Sequence, residues 1–145
     1  MDILSILLII ILVLQLLVVC YSDIRHRIVT NKLIITIALT TLVISFTQHN
    51  TIQYNTVSVV IPLVALIVGY ILFHFKLIGG GDVKLITVLL LALTAEQSLN
   101  FILYTAIMGG VVMMIGMLIN RADIQRRGVP YAVAIALGFL LSLYL

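Results

Sequence analysis

Long apolar runs follow one another through almost the entire sequence, separated only by short polar stretches. Hydrophobic residues occupy 63% of the 145 positions and charged residues 9%, whereas soluble domains carry roughly 25% charged residues. A transmembrane helix needs about 20 apolar residues, so the chain has room for about six spans and for no separate soluble domain. The sequence therefore predicts an all-α integral membrane protein with a single transmembrane domain over residues 1–145.

The apolar runs predict the positions of six transmembrane helices. The spans extend from about Ile3 to Tyr21, Leu33 to Phe46, Val57 to Phe75, Val83 to Leu93, Leu99 to Ile119 and Pro130 to Leu145. The first run lacks the basic start and the small-residue cleavage site of a signal peptide, so we expect it to be retained. The fourth is too short to cross a bilayer alone. We expect the glycine-rich loop before it to dip below the membrane surface, which is allowed where such a loop lines a cavity.

The basic residues predict how these spans are oriented. All eight fall in the first, third and fifth loops, and none falls in the second or fourth: Arg25, Arg27, Lys32, Lys76, Lys84, Arg121, Arg126 and Arg127. Basic loops stay in the cytoplasm, so both termini are expected outside it, with Asp2 and Glu96 on the outer side of the inner (plasma) membrane. The basic residues behind the net charge of +3 thus serve to orient the spans in the lipid bilayer, and no nucleic-acid partner is expected.

Two acidic residues, Asp23 and Asp82, lie at the ends of predicted spans on this same cytoplasmic side. An ionisable group in a membrane segment costs roughly 2.5 to 3.5 kcal/mol at the bilayer centre, which makes both aspartates functional candidates. Two carboxylates within hydrogen-bond reach do not both ionise easily, so one keeps its proton. The ionised group can activate a water while the protonated group donates to the carbonyl under attack. The pair predicts an aspartic peptidase that needs no cofactor.

Three glycines, Gly79, Gly80 and Gly81, come immediately before Asp82. Their missing side chains would let a substrate backbone approach closely, and glycine tolerates the positive φ angles of a tight turn. Lys84 is expected to reach the membrane interface, the substrate or a lipid phosphate.

No metal site is predicted, because the sequence has no HExxH motif and its histidines are scattered. They are His26, His49 and His74, and Cys20 is the single cysteine.

Other interpretations of the two aspartates remain open. A Gly-Gly-Gly-Asp sequence alone is a weak signal, and Asp23 beside Arg25 and Arg27 could be a solvated loop acid in surface ion pairs. Paired acids also occur in proton-coupled carriers, although the internal repeats often found in carriers are absent here. These alternatives have to be tested by substitution of each aspartate.

Taken together, the motifs resemble those of the type IV prepilin peptidases, the GxGD class of membrane aspartic proteases, in their short form. Asp23 is followed by basic residues and by Val29-Thr30-Asn31, where the family has Ile-Pro-Asn. The GxGD motif with its following lysine corresponds to Gly79-Gly80-Gly81-Asp82-Val83-Lys84. The sequence Val129-Pro130-Tyr131-Ala132, with Gly138, is similar to the last span of the family. The resemblance covers essentially the whole chain.

This resemblance implies an aspartic endopeptidase that cleaves the short basic leader, after a glycine, from type IV prepilin or pilin-like precursors at the cytoplasmic membrane face. It implies that Asp23 and Asp82 are catalytic and that Asn31 supports them, and Asp123 is a further candidate for contact with the leader. The paired CxxC motifs of longer relatives are absent, so their N-methyltransferase activity is not expected here. Intramembrane proteases of the presenilin and signal-peptide-peptidase type also use GxGD and remain an alternative.

Overall fold

The computed structural model describes residues 3–48 and 56–144, and within these ranges the chain forms six helices and no strand. The helices are α1 (Ile3–His26), α2 (Asn31–Gln48), α3 (Thr56–His74), α4 (Gly80–Leu90), α5 (Ala95–Arg127) and α6 (Tyr131–Tyr144). The all-helical prediction is confirmed for this part of the chain. Most of the predicted loop between the second and third spans lies outside the described residues, as do Asp2 and His49.

Two of the helices, α1 and α5, are long and apolar enough to cross a membrane by length and composition. Shorter apolar segments lie within α2, α3 and α6, at Asn31–Thr47, Val59–His74 and Tyr131–Tyr144. Large apolar side chains are exposed along most of α1, α3 and α5, which is the surface expected of a protein that faces lipid. The six-span topology and its orientation stay predictions.

The bounds of α1 and α4 differ from the predicted spans in ways that affect the two aspartates. α1 continues beyond Tyr21 to His26, so Asp23 lies within its last turns. α4 starts at Gly80, with Gly79 as the capping residue at φ −69° and ψ 141°. The predicted glycine-rich loop is therefore wrong for Gly80 and Gly81, which belong to the helix. Glycine costs up to about 1 kcal/mol within a helix, and here close packing against neighbouring segments outweighs that preference.

The predicted loop from Asn120 to Val129 is also mostly helical. Asn120 has non-helical angles, φ −151° and ψ 80°, and divides α5 at a kink. Its side-chain Oδ1 accepts a hydrogen bond from the Asp123 N–H at 3.1 Å, which is how an asparagine caps the start of a helix. A second helical segment therefore runs on to Arg127, and it ends at Gly128, whose φ of 85° favours glycine.

The short helix α4 lies at the centre of the bundle and contacts α2, α3 and α6. Its side chains Leu85, Leu89 and Leu90 have no exposed surface. They belong to a core that also includes Leu12, Leu16 and Val19 of α1, Ile37 of α2, Phe101 of α5 and Phe139 of α6. Packing against three other helices fixes the position of α4, and with it the position of Asp82 at its start.

Helices α5 and α6 cross at Gly138, where a side chain has no room. A Cβ atom there would lie 2.7 Å from the Thr105 backbone nitrogen and 2.8 Å from its Cα. Since backbone atoms cannot move aside without separating the helices, Gly138→Ala is expected to destabilise the protein by about 1 to 3 kcal/mol. Thermal unfolding in detergent measures the effect.

Gly110→Ala is the matched control for that measurement. Gly110 also lies within a helix, but no atom lies within 4 Å of the added Cβ. The same substitution there is expected to be neutral or to stabilise by about 0.5 to 1 kcal/mol, because alanine favours the helix. Equal unfolding temperatures for the two variants would contradict the close crossing at Gly138.

Candidate active site

Asp23 is buried, with 7% of its surface exposed, near the end of α1. Its carboxylate Oδ2 accepts a hydrogen bond from the Ala132 N–H at 3.0 Å. Ala132 lies in the first turn of α6, where backbone N–H groups have no partner within the helix and favour a negative charge. The start of α6 therefore binds and orients this carboxylate. The interpretation of Asp23 as a solvated loop acid is wrong, because the side chain is enclosed.

Asp82 lies in the first turn of α4, before the apolar part of that helix. Its carboxylate turns back toward Gly79, where an added Cβ would lie 2.8 Å from Oδ2. The pKa of Asp82 is raised to about 6, mainly by burial and also by the negative charge of Asp23, while a backbone hydrogen bond from Gly79 acts in the opposite direction. The effect of Asp23 on this pKa means that the two carboxyl groups are close enough for their charges to interact.

Gly80 and Gly81, unlike Gly79, are in close contact with another part of the chain. A Cβ atom on Gly80 would lie 3.2 Å from the Phe73 ring, and one on Gly81 would lie 3.1 Å from the Val29 Cβ. None of these glycines has a positive φ, so the expected conformational reason for them is wrong. Because Val29 belongs to the segment that follows Asp23, the Gly81 contact joins the two sequence motifs.

A hydrogen bond links the other two support residues that the sequence predicts. The Lys84 Nζ donates to the Asn31 side-chain Oδ1 at 3.0 Å. Asn31 is the first residue of α2 and Lys84 lies in the second turn of α4. Both side chains are exposed, so the contact contributes little stability. It nevertheless joins α2 to α4, as the bond from Ala132 to Asp23 joins α6 to α1 and the contact of Gly81 with Val29 joins α4 to the segment after α1.

An ion pair that the sequence does not reveal lies near Asp23, just beyond the end of α1. Arg27 Nη2 lies 3.2 Å from Asp123 Oδ2, and Arg127 Nε lies 3.7 Å from Asp123 Oδ1. Arg27 has a positive φ of 55° and a side chain only 15% exposed. Asp123 is thus already paired within the protein, although we expected it to contact a leader peptide. The i,i+4 spacing indicates its pairing with Arg127, but no local pattern indicates Arg27 or Ala132.

The arrangement provides two interacting carboxyl groups, and each accepts a hydrogen bond from a backbone N–H, that of Ala132 for Asp23 and that of Gly79 for Asp82. In the described part of the chain, no three His, Cys, Asp or Glu side chains are grouped closely enough to hold a metal ion. Two interacting carboxyl groups can transfer protons to and from water and a bound substrate.

The comparisons with known proteins give one match. The model of the type IV leader peptidase family matches residues 10–114. This range contains Asp23, Asn31, Asp82 and Lys84 together with the three glycines. Among curated proteins and among solved structures, nothing matches the chain.

Proposed function

Because the chain belongs to the type IV leader peptidase family, we propose that it is an aspartic endopeptidase that removes the basic leader from type IV prepilin or pilin-like precursors at the cytoplasmic membrane face. The family match confirms the resemblance in the sequence and makes the protein a peptidase of the leader-peptidase type. The observation that carries the aspartic mechanism is the contact of Gly81 with Val29, which joins the segment before Asp82 to the segment after Asp23. The effect of the Asp23 charge on the pKa of Asp82 agrees with it.

The geometry suggests a different role for each carboxyl group. Asp82 holds its proton at higher pH than an ordinary aspartate, since its pKa is about 6. Asp23 accepts a hydrogen bond from the start of α6, which stabilises a negative charge. We therefore assign Asp23 as the base that takes a proton from water and Asp82 as the acid that donates to the carbonyl oxygen.

The reaction then needs only water and the two carboxyl groups. The water oxygen bonds to the carbonyl carbon as Asp23 accepts its proton, and the carbonyl oxygen takes the Asp82 proton. Collapse of this tetrahedral species breaks the C–N bond, and the Asp23 proton passes to the leaving amine. Asp82 recovers its proton from the collapsing hydroxyl group, so both residues return to their starting states.

The two alternative functions have less support. A proton-coupled carrier and an intramembrane protease of the presenilin or signal-peptide-peptidase type could both use paired aspartates, but the family match favours a leader peptidase. The precursor as partner, the cytoplasmic position of the site and the inner-membrane location remain parts of the proposal.

The function is tested by incubating membranes that contain the protein with a precursor made of a short basic leader ending in glycine and a following apolar segment. Cleavage is expected as a mobility shift on a gel, and it should persist in EDTA because carboxyl groups alone perform the chemistry. Activity that EDTA removes and zinc restores would overturn the metal-free mechanism. A folded protein that leaves the precursor intact would argue against the peptidase and for the carrier.

A further inference from the structure

An apolar cavity opens between α3 and α5, above the central helix α4. Its volume is about 210 Å³, and almost all of its lining is apolar. The residues that matter here are Ala65 and Val68 of α3, Ile78, Val83 and Ile86 at or near α4, and Ile102 of α5. Val68 and Ile102 are 48% and 47% exposed, so they form a rim that opens onto the outer surface of the bundle.

One end of this cavity lies beside Asp82. Ile78 and Val83 directly flank the segment from Gly79 to Asp82. Ile86 is four residues beyond Asp82 on the same helix, or about 6 Å along its axis. A substrate side chain bound in the cavity would therefore be only a few residues away, along the substrate chain, from the peptide bond held at Asp82.

The size of the cavity limits what can bind. A cavity of about 150 Å³ holds benzene, so a volume of about 210 Å³ accommodates one large apolar side chain and excludes an entire helix. The rest of the bound chain would lie across the surface between α3 and α5. In a lipid environment such a chain has to be helical, because its backbone polar groups need internal partners.

We propose that this cavity binds a large apolar side chain from the first turns of the substrate's membrane segment, just after the bond that is cleaved. The inference rests on the proposed function and adds to it the surface that selects the substrate. Continuity with Asp82 is the reason to assign the cavity to the substrate. A lipid acyl chain could fill the same volume, but its binding would have no relation to the cleaved bond.

Cross-linking tests the position of the substrate. The full chain carries Cys20→Ala and Asp82→Asn, which removes the native thiol and keeps the precursor intact, together with Ile102→Cys or Val68→Cys. The probe is the same precursor with one cysteine in the first turn after the cleavage point. Under mild oxidation, cysteines at these rim positions are expected to form the disulfide with the precursor at least about tenfold faster than the controls. A disulfide forms only when the Cα atoms of the two cysteines come within about 6 Å of each other.

The controls are the neighbouring positions Leu103→Cys and Ile67→Cys. These residues are 57% and 62% exposed on the same two helices, and they do not line the cavity. Equal disulfide formation at rim and control positions would overturn the proposal, because it would mean that the substrate contacts the bundle without using the cavity.

Filling the cavity separates this inference from the proposed function. Ala65→Leu is expected to lower cleavage of the precursor about tenfold relative to cleavage of a reference peptide, because one buried side chain is excluded. The reference is a short soluble peptide that keeps the leader and the cleaved bond but has polar residues in place of the apolar segment. Ala106→Leu makes the same change at an exposed site on α5 outside the cavity, and should leave this ratio as in the wild type. An unchanged ratio in Ala65→Leu would disprove the cavity's role, whereas a wild type that cleaves neither probe would disprove the peptidase itself.

Discussion

Asp23→Asn and Asp82→Asn are each expected to lower the rate of precursor cleavage by a factor of about 10² to 10⁴, the contribution usual for a positioned acid or base. Asparagine keeps the shape of aspartate and its acceptor oxygen, so the hydrogen bond from Ala132 to residue 23 can persist. The amide cannot accept or donate the proton that the reaction requires. The loss should therefore appear in the rate of cleavage by correctly folded protein, measured in membranes with matched expression.

The double variant gives the sharper test. If the two carboxyl groups act as one unit, the double variant should lower the rate of cleavage about as much as either single variant does. Glu96→Gln is the control, because Glu96 is an exposed acid in the first turn of α5 and is not part of the site. A single variant that cleaves at the parental rate would disprove the two-carboxylate mechanism, as would a Glu96→Gln protein that loses activity to the same extent.

The helices and the two aspartates could be predicted because their signals are local. Apolar runs of sufficient length mark membrane helices regardless of how these helices pack. Asp23 and Asp82 stand out at the ends of such runs because an ionisable side chain in a membrane segment has a high free-energy cost. The family match over residues 10–114 agrees with this prediction of a peptidase.

The contacts that organise the site could not be predicted, because they join distant parts of the chain. Ala132 and Asp23 are 109 positions apart, and Arg27 and Asp123 are 96 apart. Neither pair has a spacing that a helix or turn would impose. The failed prediction of a glycine loop has the same origin. Glycine propensity argued for a turn, but Gly80 and Gly81 are needed for contact with Phe73 and Val29.

The start of α6 illustrates how a local signal can acquire a distant role. Pro130 indicates from sequence alone that a helix begins there. What the sequence does not reveal is that the Ala132 N–H, which has no partner within the helix, donates a hydrogen bond to the carboxylate of Asp23. This contact makes the last helix part of the site, although the family match ends at residue 114.

Raising the pH from 6 to 8 is expected to lower cleavage by about 50-fold if Asp82 is the proton donor, because its protonated fraction falls from about one half to about one hundredth. The sign follows from the direction of its shift. Burial and the charge of Asp23 raise the pKa of Asp82 to about 6, so the active protonated form predominates below that value and disappears above it. The fall at high pH should be steepest in kcat/KM, which reports groups in the free enzyme.

The same profile decides between the two possible assignments of acid and base. An activity that instead rises through pH 6 would make ionised Asp82 the base and leave Asp23 to donate the proton. The measurement needs a check that the protein stays folded across the range, and helical signal recorded at each pH provides it. At low pH a second loss of activity is expected as the base becomes protonated, because an aspartic peptidase needs one carboxyl group in each state. A rate that is independent of pH between 4 and 9 would exclude proton transfer by either aspartate from the rate-limiting step.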